Sequence, residues 1–196
     1  MPHSILLTGC SRGIGLEMVK LLSAMPDWVN KIYATSRNPS DKLNELVKAN
    51  SCVKYVQLDS ANEESIQKAV KLVTEDLGSE RGLNYLVNNA AIASHDTIET
   101  ITAESMNQTL ATNVTGPTII IKEFLPLLRK AEARKEQALI LNISSSIGSF
   151  AITDAAFAFS YRMSKSAMNM LTHTMNFHFA NSGINIISIH PGWVKT

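Results

Sequence analysis

Tyr161 and Lys165 stand four residues apart at the head of an apolar-periodic run in which Ala167, Leu171, Met175 and Phe179 recur every four residues. Side chains at that spacing share one face of a helix, so an ammonium can lie beside a phenol. A free phenol titrates near 10, and lowering it by about 3 units requires roughly 4 kcal/mol. One cation about 4 Å away, at an effective dielectric of about 20, supplies roughly that much. Such a pair would let Tyr161 donate a proton to a carbonyl or accept one from an alcohol. The same spacing also suits a core helix with a solvated lysine, because surface pairs of this kind are common and weak. Other residues must decide between the two.

A second group precedes it by a long way. The apolar run at residues 4–8 ends in Thr8-Gly9-Cys10-Ser11-Arg12-Gly13-Ile14-Gly15, and apolar positions at Ile14, Met18, Leu21, Leu22 and Met25 follow. Strand, glycine-rich turn and helix in that order suit a pyrophosphate, since glycines admit close backbone approach and the first N–H groups of the helix point at the anion. Glycines in a tight turn can also be structural. The next strand, residues 31–36, ends at Ser36 and Arg37 with no acid, and Arg12 adds a second cation. A carboxylate there selects NAD and an arginine accommodates the 2′-phosphate of NADP, so the two arginines point to NADP, unless both are plain surface charges.

These groups need elements to hold them. Strands are expected at residues 4–8, 31–36, 53–58, 84–87, 138–143 and 184–189. Helices are expected at residues 14–25, 40–49, 60–77, from about 103 to 112, 117–134 and 161–182. Alternation at this rhythm implies βαβ units and a parallel sheet covered on both faces. Ser60 and Glu63 are spaced as a capping box. Asn113 inside a helical run is unfavourable and predicts a local kink, and Pro126 predicts a bend. Ser144-Ser145-Ser146 follows the fifth strand, at the carboxyl end where parallel sheets bind ligands, though three serines can also be a turn. Phe150 to Ser160 is apolar and rich in small residues, a candidate pocket wall. Met163, Met170 and Phe177 make a second apolar stripe on the Tyr161 helix, which calls for cover by another helix or a second chain.

Composition narrows the function classes. The 196 residues suit one domain, with 45% hydrophobic and 18% charged residues. A net charge of +1 leaves no electrostatic footprint for nucleic acid or an anionic membrane. Cys10 and Cys52 lack metal-ligand spacing, and His173 and His178 lack a partner, so no metal site is expected. No apolar run spans a membrane and the first residues do not form a signal peptide, so the cytoplasm is the expected address.

Taken together, the motifs resemble the short-chain dehydrogenase/reductase family from Ser4 to Thr196. Residues 8–15 match its T-G-x-x-x-G-x-G loop, and Asp59 its adenine-contacting acid. Asn89-Ala90 matches N-A-G with Ala91 in place of the glycine, and Asn113 the asparagine that orders a catalytic water. Ser145, three residues before Gly148, matches the reactive serine, Tyr161 and Lys165 match Y-x-x-x-K, and Pro191-Gly192 with Val194 and Thr196 match P-G-x-V-x-T. Within the family, residues 161–167 and 191–196 are most similar to sniffer-like carbonyl reductases and their C-factor relatives.

That resemblance implies a Rossmann-type doubly wound sheet of order 3-2-1-4-5-6 in a single NAD(P)-binding domain, with the lid segment and seventh strand of the family absent from this chain. It implies NADPH as cofactor. Tyr161 would be the proton donor, Ser145 would polarise the carbonyl, and Lys165 would lower the tyrosine pKa and hold the ribose. Asn113 would hold a water. Gly9, Ser11, Arg12, Gly13, Ile14, Gly15, Arg37, Asp59, Asn89, Tyr161, Lys165, Pro191, Gly192, Val194 and Thr196 would contact the cofactor. Phe150, Ile152, Phe157, Phe159 and Trp193 suggest an apolar carbonyl substrate, narrowed by resemblance to quinones, reactive aldehydes or ketones. A homodimer through the helices starting near Pro117 and Tyr161 is also implied. Two other readings stand beside this one: a cofactor-binding signalling or scaffold protein with little catalysis, and an NAD-dependent dehydrogenase working toward alcohol oxidation.

Overall fold

The computed structural model describes residues 2–153 and 155–194. Six parallel strands, β1 (His3–Leu7), β2 (Val29–Ser36), β3 (Val53–Gln57), β4 (Tyr85–Asn88), β5 (Ala138–Ile143) and β6 (Ile184–Ile189), lie in the order β3-β2-β1-β4-β5-β6. This is the expected doubly wound order. Between them run α1 (Gly13–Ser23), α2 (Asp41–Ala49), α3 (Glu63–Leu77), α4 (Ala103–Leu110), α5 (Gly116–Ala133) and α6 (Phe159–Phe179). Among the described residues β3 and β6 are the two sheet edges.

Alternation along each strand builds two cores. Leu6, Tyr33, Leu86, Ile140 and Ile186 face one side and pack with Val73 of α3, Phe124 of α5 and Phe179 of α6. Ile5, Leu7, Ile32, Ala34 and Val87 face the other and pack with Leu16 and Val19 of α1 and Leu43 of α2. Strands this apolar on both faces belong in the interior of a covered parallel sheet. Cover on the second face is uneven, since Ile187 and Ile189 of β6 stay 45% and 39% exposed. The second stripe of α6 is also open to solvent, with Phe177 73% and Met170 60% exposed.

The helix starts follow local chemistry. Ser40 caps α2, its hydroxyl accepting from the Leu43 amide at 3.2 Å. For α3 the cap is Asn62, which accepts from the Ser65 amide at 2.9 Å, and not the expected Ser60. The reason lies in the preceding turn. The Asp59 carboxylate accepts from the Ala61 amide at 3.0 Å, which draws Ser60 into a buried turn and delays the helix by two residues. Asn113 does distort its helix: residues Ala111–Thr115 form a π turn between α4 and α5. Such one-turn bulges recur at functional positions. Among the described residues no helix is long and apolar enough to cross a membrane.

Candidate functional site

The residues singled out by chemistry gather at the carboxyl end of the sheet. After β1 the chain turns through Gly9, at φ +73°, and Gly13, at φ +56°. A Cβ on Gly15 would sit 2.3 Å from the Gly9 carbonyl oxygen, and one on Gly9 would sit 2.8 Å from the Ala90 Cα. Only glycine fits so tight a fold of backbone on backbone. Asn89 and Thr8 fasten the loop from the β4 side. The Asn89 side-chain amide donates to the carbonyls of Thr8 at 2.8 Å and Gly9 at 3.2 Å, and the Thr8 hydroxyl accepts from the amides of Asn89 and Ala90. Ala91 is exposed and free of a left-handed backbone, so alanine in place of glycine introduces no strain there.

Helix α1 opens at this loop without a side-chain cap and without an acid in its first turn. Its leading N–H groups therefore have no side-chain partner at the point where a pyrophosphate would bind. Ser11 and Ile14 are half-buried beside them, and Arg12 is exposed. Arg37 is exposed just beyond β2, and among the described residues neither arginine enters an ion pair. The Cys10 amide donates to the Thr35 carbonyl at 2.8 Å, which ties the glycine loop to the end of β2. Asp59 lies half-buried beyond β3. A loop that admits no Cβ at Gly9 or Gly15, an uncapped helix and two unpaired arginines form a set that a phosphorylated dinucleotide fits.

Asn113 is 1% exposed, and its side chain is fully engaged. Its oxygen accepts from the Ile92 amide at 2.8 Å, and its nitrogen donates to the Ile92 carbonyl at 2.8 Å and to the Ser164 hydroxyl at 3.0 Å. Ser164 in turn donates to the Tyr161 carbonyl at 2.7 Å. Any water held by Asn113 would thus meet its backbone, not its amide.

The three serines divide their work. Ser144 is buried and donates to Asn169 Oδ1 at 2.6 Å. Ser145 begins a 3-10 turn over Ser146–Gly148, and its half-buried hydroxyl has only a long contact from the Ile147 amide at 3.4 Å. That leaves the Ser145 O–H available to donate. Gly148 brings the turn onto α6, where an added Cβ would meet Lys165 Cβ and its carbonyl carbon at 2.7 Å.

Lys165 is 3% exposed. Its ammonium donates to the Ile143 carbonyl at 2.7 Å and lies 5.4 Å from the centroid of the Tyr161 ring. Burial pulls the ammonium down to about 8 and pushes the Tyr161 phenol above its ordinary 10. In the free site the ammonium is turned to the Ile143 carbonyl, and desolvation sets the direction in which the phenol shifts. Among the described residues no hydrogen bond occupies the Tyr161 hydroxyl, so it remains free to meet a substrate oxygen.

Pro191, Gly192 and Val194 follow β6, with Gly192 at φ +83°, while Thr196 lies outside the described residues. Phe150, Ile152 and Trp193 are 89%, 61% and 93% exposed, so they line no closed pocket. A groove of about 430 Å³ runs between residues 148–151 and the Asn169, Met170 and His173 side of α6, apart from Tyr161 and Lys165. Among the described residues no three potential ligands converge on a metal.

Asp96 is a site residue that the motifs do not mark. It lies in the loop between β4 and α4, and its carboxylate accepts from the amide and hydroxyl of Ser160, next to Tyr161. Burial works against its charge, yet the bonds from Ser160 and Ser94 hold its carboxyl below the usual range. An isolated acid in an irregular loop carries no periodic signal that would reveal a partner 64 residues away.

A family model described as short chain dehydrogenase matches residues 3–196. An uncharacterized oxidoreductase of Schizosaccharomyces pombe is 33% identical over 195 residues, spanning 97% of this chain and 73% of that protein. Among solved structures, an NADPH-bound carbonyl reductase from chicken fatty liver superposes with a TM-score of 0.92 at 36% identity, covering 98% of this chain and 76% of the other. The carbonyl reductase Sniffer of D. melanogaster superposes at 0.93 with 34% identity, covering 98% and 82%.

Proposed function

The chain belongs to the short-chain dehydrogenase family, and on that premise we propose that it is an NADPH-dependent reductase of apolar aldehydes, ketones or quinones. The observation that carries this reading is the burial of Lys165. A charged group 3% exposed with one carbonyl partner is costly. Groups held at such a cost beside a titratable partner are characteristic of active sites.

The loop at Gly9, Gly13 and Gly15, with the open start of α1, would hold the pyrophosphate, and Arg12 and Arg37 the 2′-phosphate. Asp59, Asn89 and the residues at Pro191, Gly192 and Val194 would complete the cradle. Bound NADPH supplies a hydride to the carbonyl carbon. Ser145 Oγ donates a hydrogen bond to the carbonyl oxygen and stabilises the charge that develops on it. Tyr161 Oη gives its proton to that oxygen, which leaves the alcohol. The Lys165 ammonium then stands beside the phenolate and stabilises it, while Asn113 holds the loop at Ile92 against α6. Burial of the Tyr161 phenol disfavours its phenolate and so keeps on it the proton that a donor needs.

The test is NADPH consumption with a panel of apolar aldehydes, ketones and quinones, with Tyr161→Phe as control. Turnover should fall at least about 100-fold in the variant, within the usual range for a lost acid–base group, while NADPH affinity stays within about twofold. Unchanged turnover would remove Tyr161 from the mechanism. Tight NADPH binding without turnover of any carbonyl would replace the reductase by a cofactor-binding protein.

A further inference from the structure

Helix α6 is 21 residues long and carries Tyr161 and Lys165 in its first two turns, yet its own sequence supplies no cap. The N-cap position is Ala158, whose side chain accepts nothing, and the first turn contains no acid. Ala158 also adopts a left-handed backbone, φ 55° and ψ 46°, which alanine keeps only when its surroundings hold it there. The leading amides of a helix need partners from elsewhere. Asp96 provides them. Its backbone carbonyl accepts from the Phe159 amide at 3.4 Å, and its carboxylate accepts from the Ser160 amide at 3.2 Å and from the Ser160 hydroxyl. Ser94 donates to the same carboxylate at 3.0 Å and fixes its orientation. Ser160 is fully buried, so these bonds have little competition from water. A carboxylate at a helix N-terminus is favoured by the dipole as well as by the hydrogen bonds.

The loop carrying Asp96 is held to the same turn of α6 a second time. Ile92 bonds Asn113 through both its amide and its carbonyl, Asn113 bonds Ser164, and Ser164 bonds the Tyr161 carbonyl. Two anchors four residues apart in one loop thus hold the start of α6, one at Phe159 and Ser160 and the other, through Ser164, at the Tyr161 carbonyl.

We propose that Asp96 is the positioning residue for Tyr161: a cap supplied from the β4–α4 loop that sets the first turn of α6 and with it the phenol. The inference rests on the reading of Tyr161 as proton donor, and the experiment separates the two. Wild type, Asp96→Ala, Asp96→Asn and Tyr161→Phe are compared by steady-state kinetics with NADPH and by amide hydrogen exchange along α6. Asp96→Ala should lower kcat at least about tenfold, with KM and NADPH affinity within about threefold. It should speed exchange at Phe159 to Tyr161 by at least about tenfold and leave the second half of α6 unchanged. Asparagine keeps the acceptor and is a good cap, so Asp96→Asn should restore both measurements to within about threefold of wild type. Ser160→Ala, which keeps the carboxylate, gives the milder form of the test should Asp96→Ala not fold. Unchanged exchange in the first turn, kcat within twofold of wild type, or an asparagine variant as poor as alanine would each overturn the proposal. Should wild type and Tyr161→Phe prove equally inactive, the donor reading falls and the exchange data alone decide the cap.

Discussion

The two halves of the site are built by opposite means. On the β1–β2 side the structure is backbone against backbone: Gly15 lies on the Gly9 carbonyl, the Asn89 amide bonds carbonyls, and α1 opens without a cap. Its glycine loop and the end of β2 carry two exposed arginines, Arg12 and Arg37. On the β5–α6 side it is side chains that do the joining, through buried Asn113, Ser144, Ser164 and Lys165. The first half needs the absence of atoms, and the second needs particular atoms in a desolvated place. On the proposed function, the first would cradle an extended anion and the second would hold a proton.

Lys165→Met should give the largest effect and touch only the second half. Turnover should fall by about 100-fold or more, the scale of a lost acid–base partner. Its stability carries a sign. The folded ammonium titrates near 8 and the unfolded one near its ordinary 10.5, so between those values the unfolded chain holds the extra proton and wild-type stability rises with pH. Below about pH 8 the full cost of burying the charge, about 3 kcal/mol, is present. Urea unfolding at pH 7, 8.5 and 10 should therefore show wild type gaining on Lys165→Met as pH rises. A constant gap would mean that the ammonium is not depressed.

A pair of alanines sharpens the contrast. Gly15→Ala drives a Cβ into the Gly9 carbonyl and should weaken NADPH binding by about 10- to 100-fold, the range expected of an overpacked site. Gly148→Ala drives a Cβ into Lys165 and should reduce kcat by a similar factor while sparing cofactor affinity. If calorimetric binding and kinetics show both variants failing in the same way, the halves are not separable. The smallest effect belongs to the arginines. Arg12→Ala or Arg37→Ala should each lower NADPH affinity about tenfold, the worth of one charge-assisted contact, and leave NADH affinity unchanged. Equal losses for both cofactors would show that neither arginine reads the 2′-phosphate.

Legibility in the sequence differs between the halves for the same reason. The glycine loop is continuous in the chain, so its spacing displayed it, and the apolar runs of β5 and β6 matched their strands residue for residue. Asn113 marked a distortion in its helix because asparagine is unfavourable within a helical run, and the fold showed that distortion to be a π turn. Only the fold showed that the partners of Asn113 are Ile92 and Ser164. The α3 cap moved from Ser60 to Asn62 because the Asp59 turn competes for the chain, a local contest that a spacing rule does not register.

By itself the sequence determined the alternation of strands and helices, the sheet order implied by its motifs, and the residue types that gather at the carboxyl end. The alternation follows from periodicity and steric limits, which are properties of neighbouring residues, whereas the sheet order was what the resemblance of the motifs to the short-chain dehydrogenase/reductase family implied. The tertiary structure alone decided where Lys165 points, which way the Tyr161 phenol shifts, which serine is left free, and that Asp96 caps α6. Each depends on desolvation or on a hydrogen bond between residues far apart in the chain, and neither quantity exists until the core has closed.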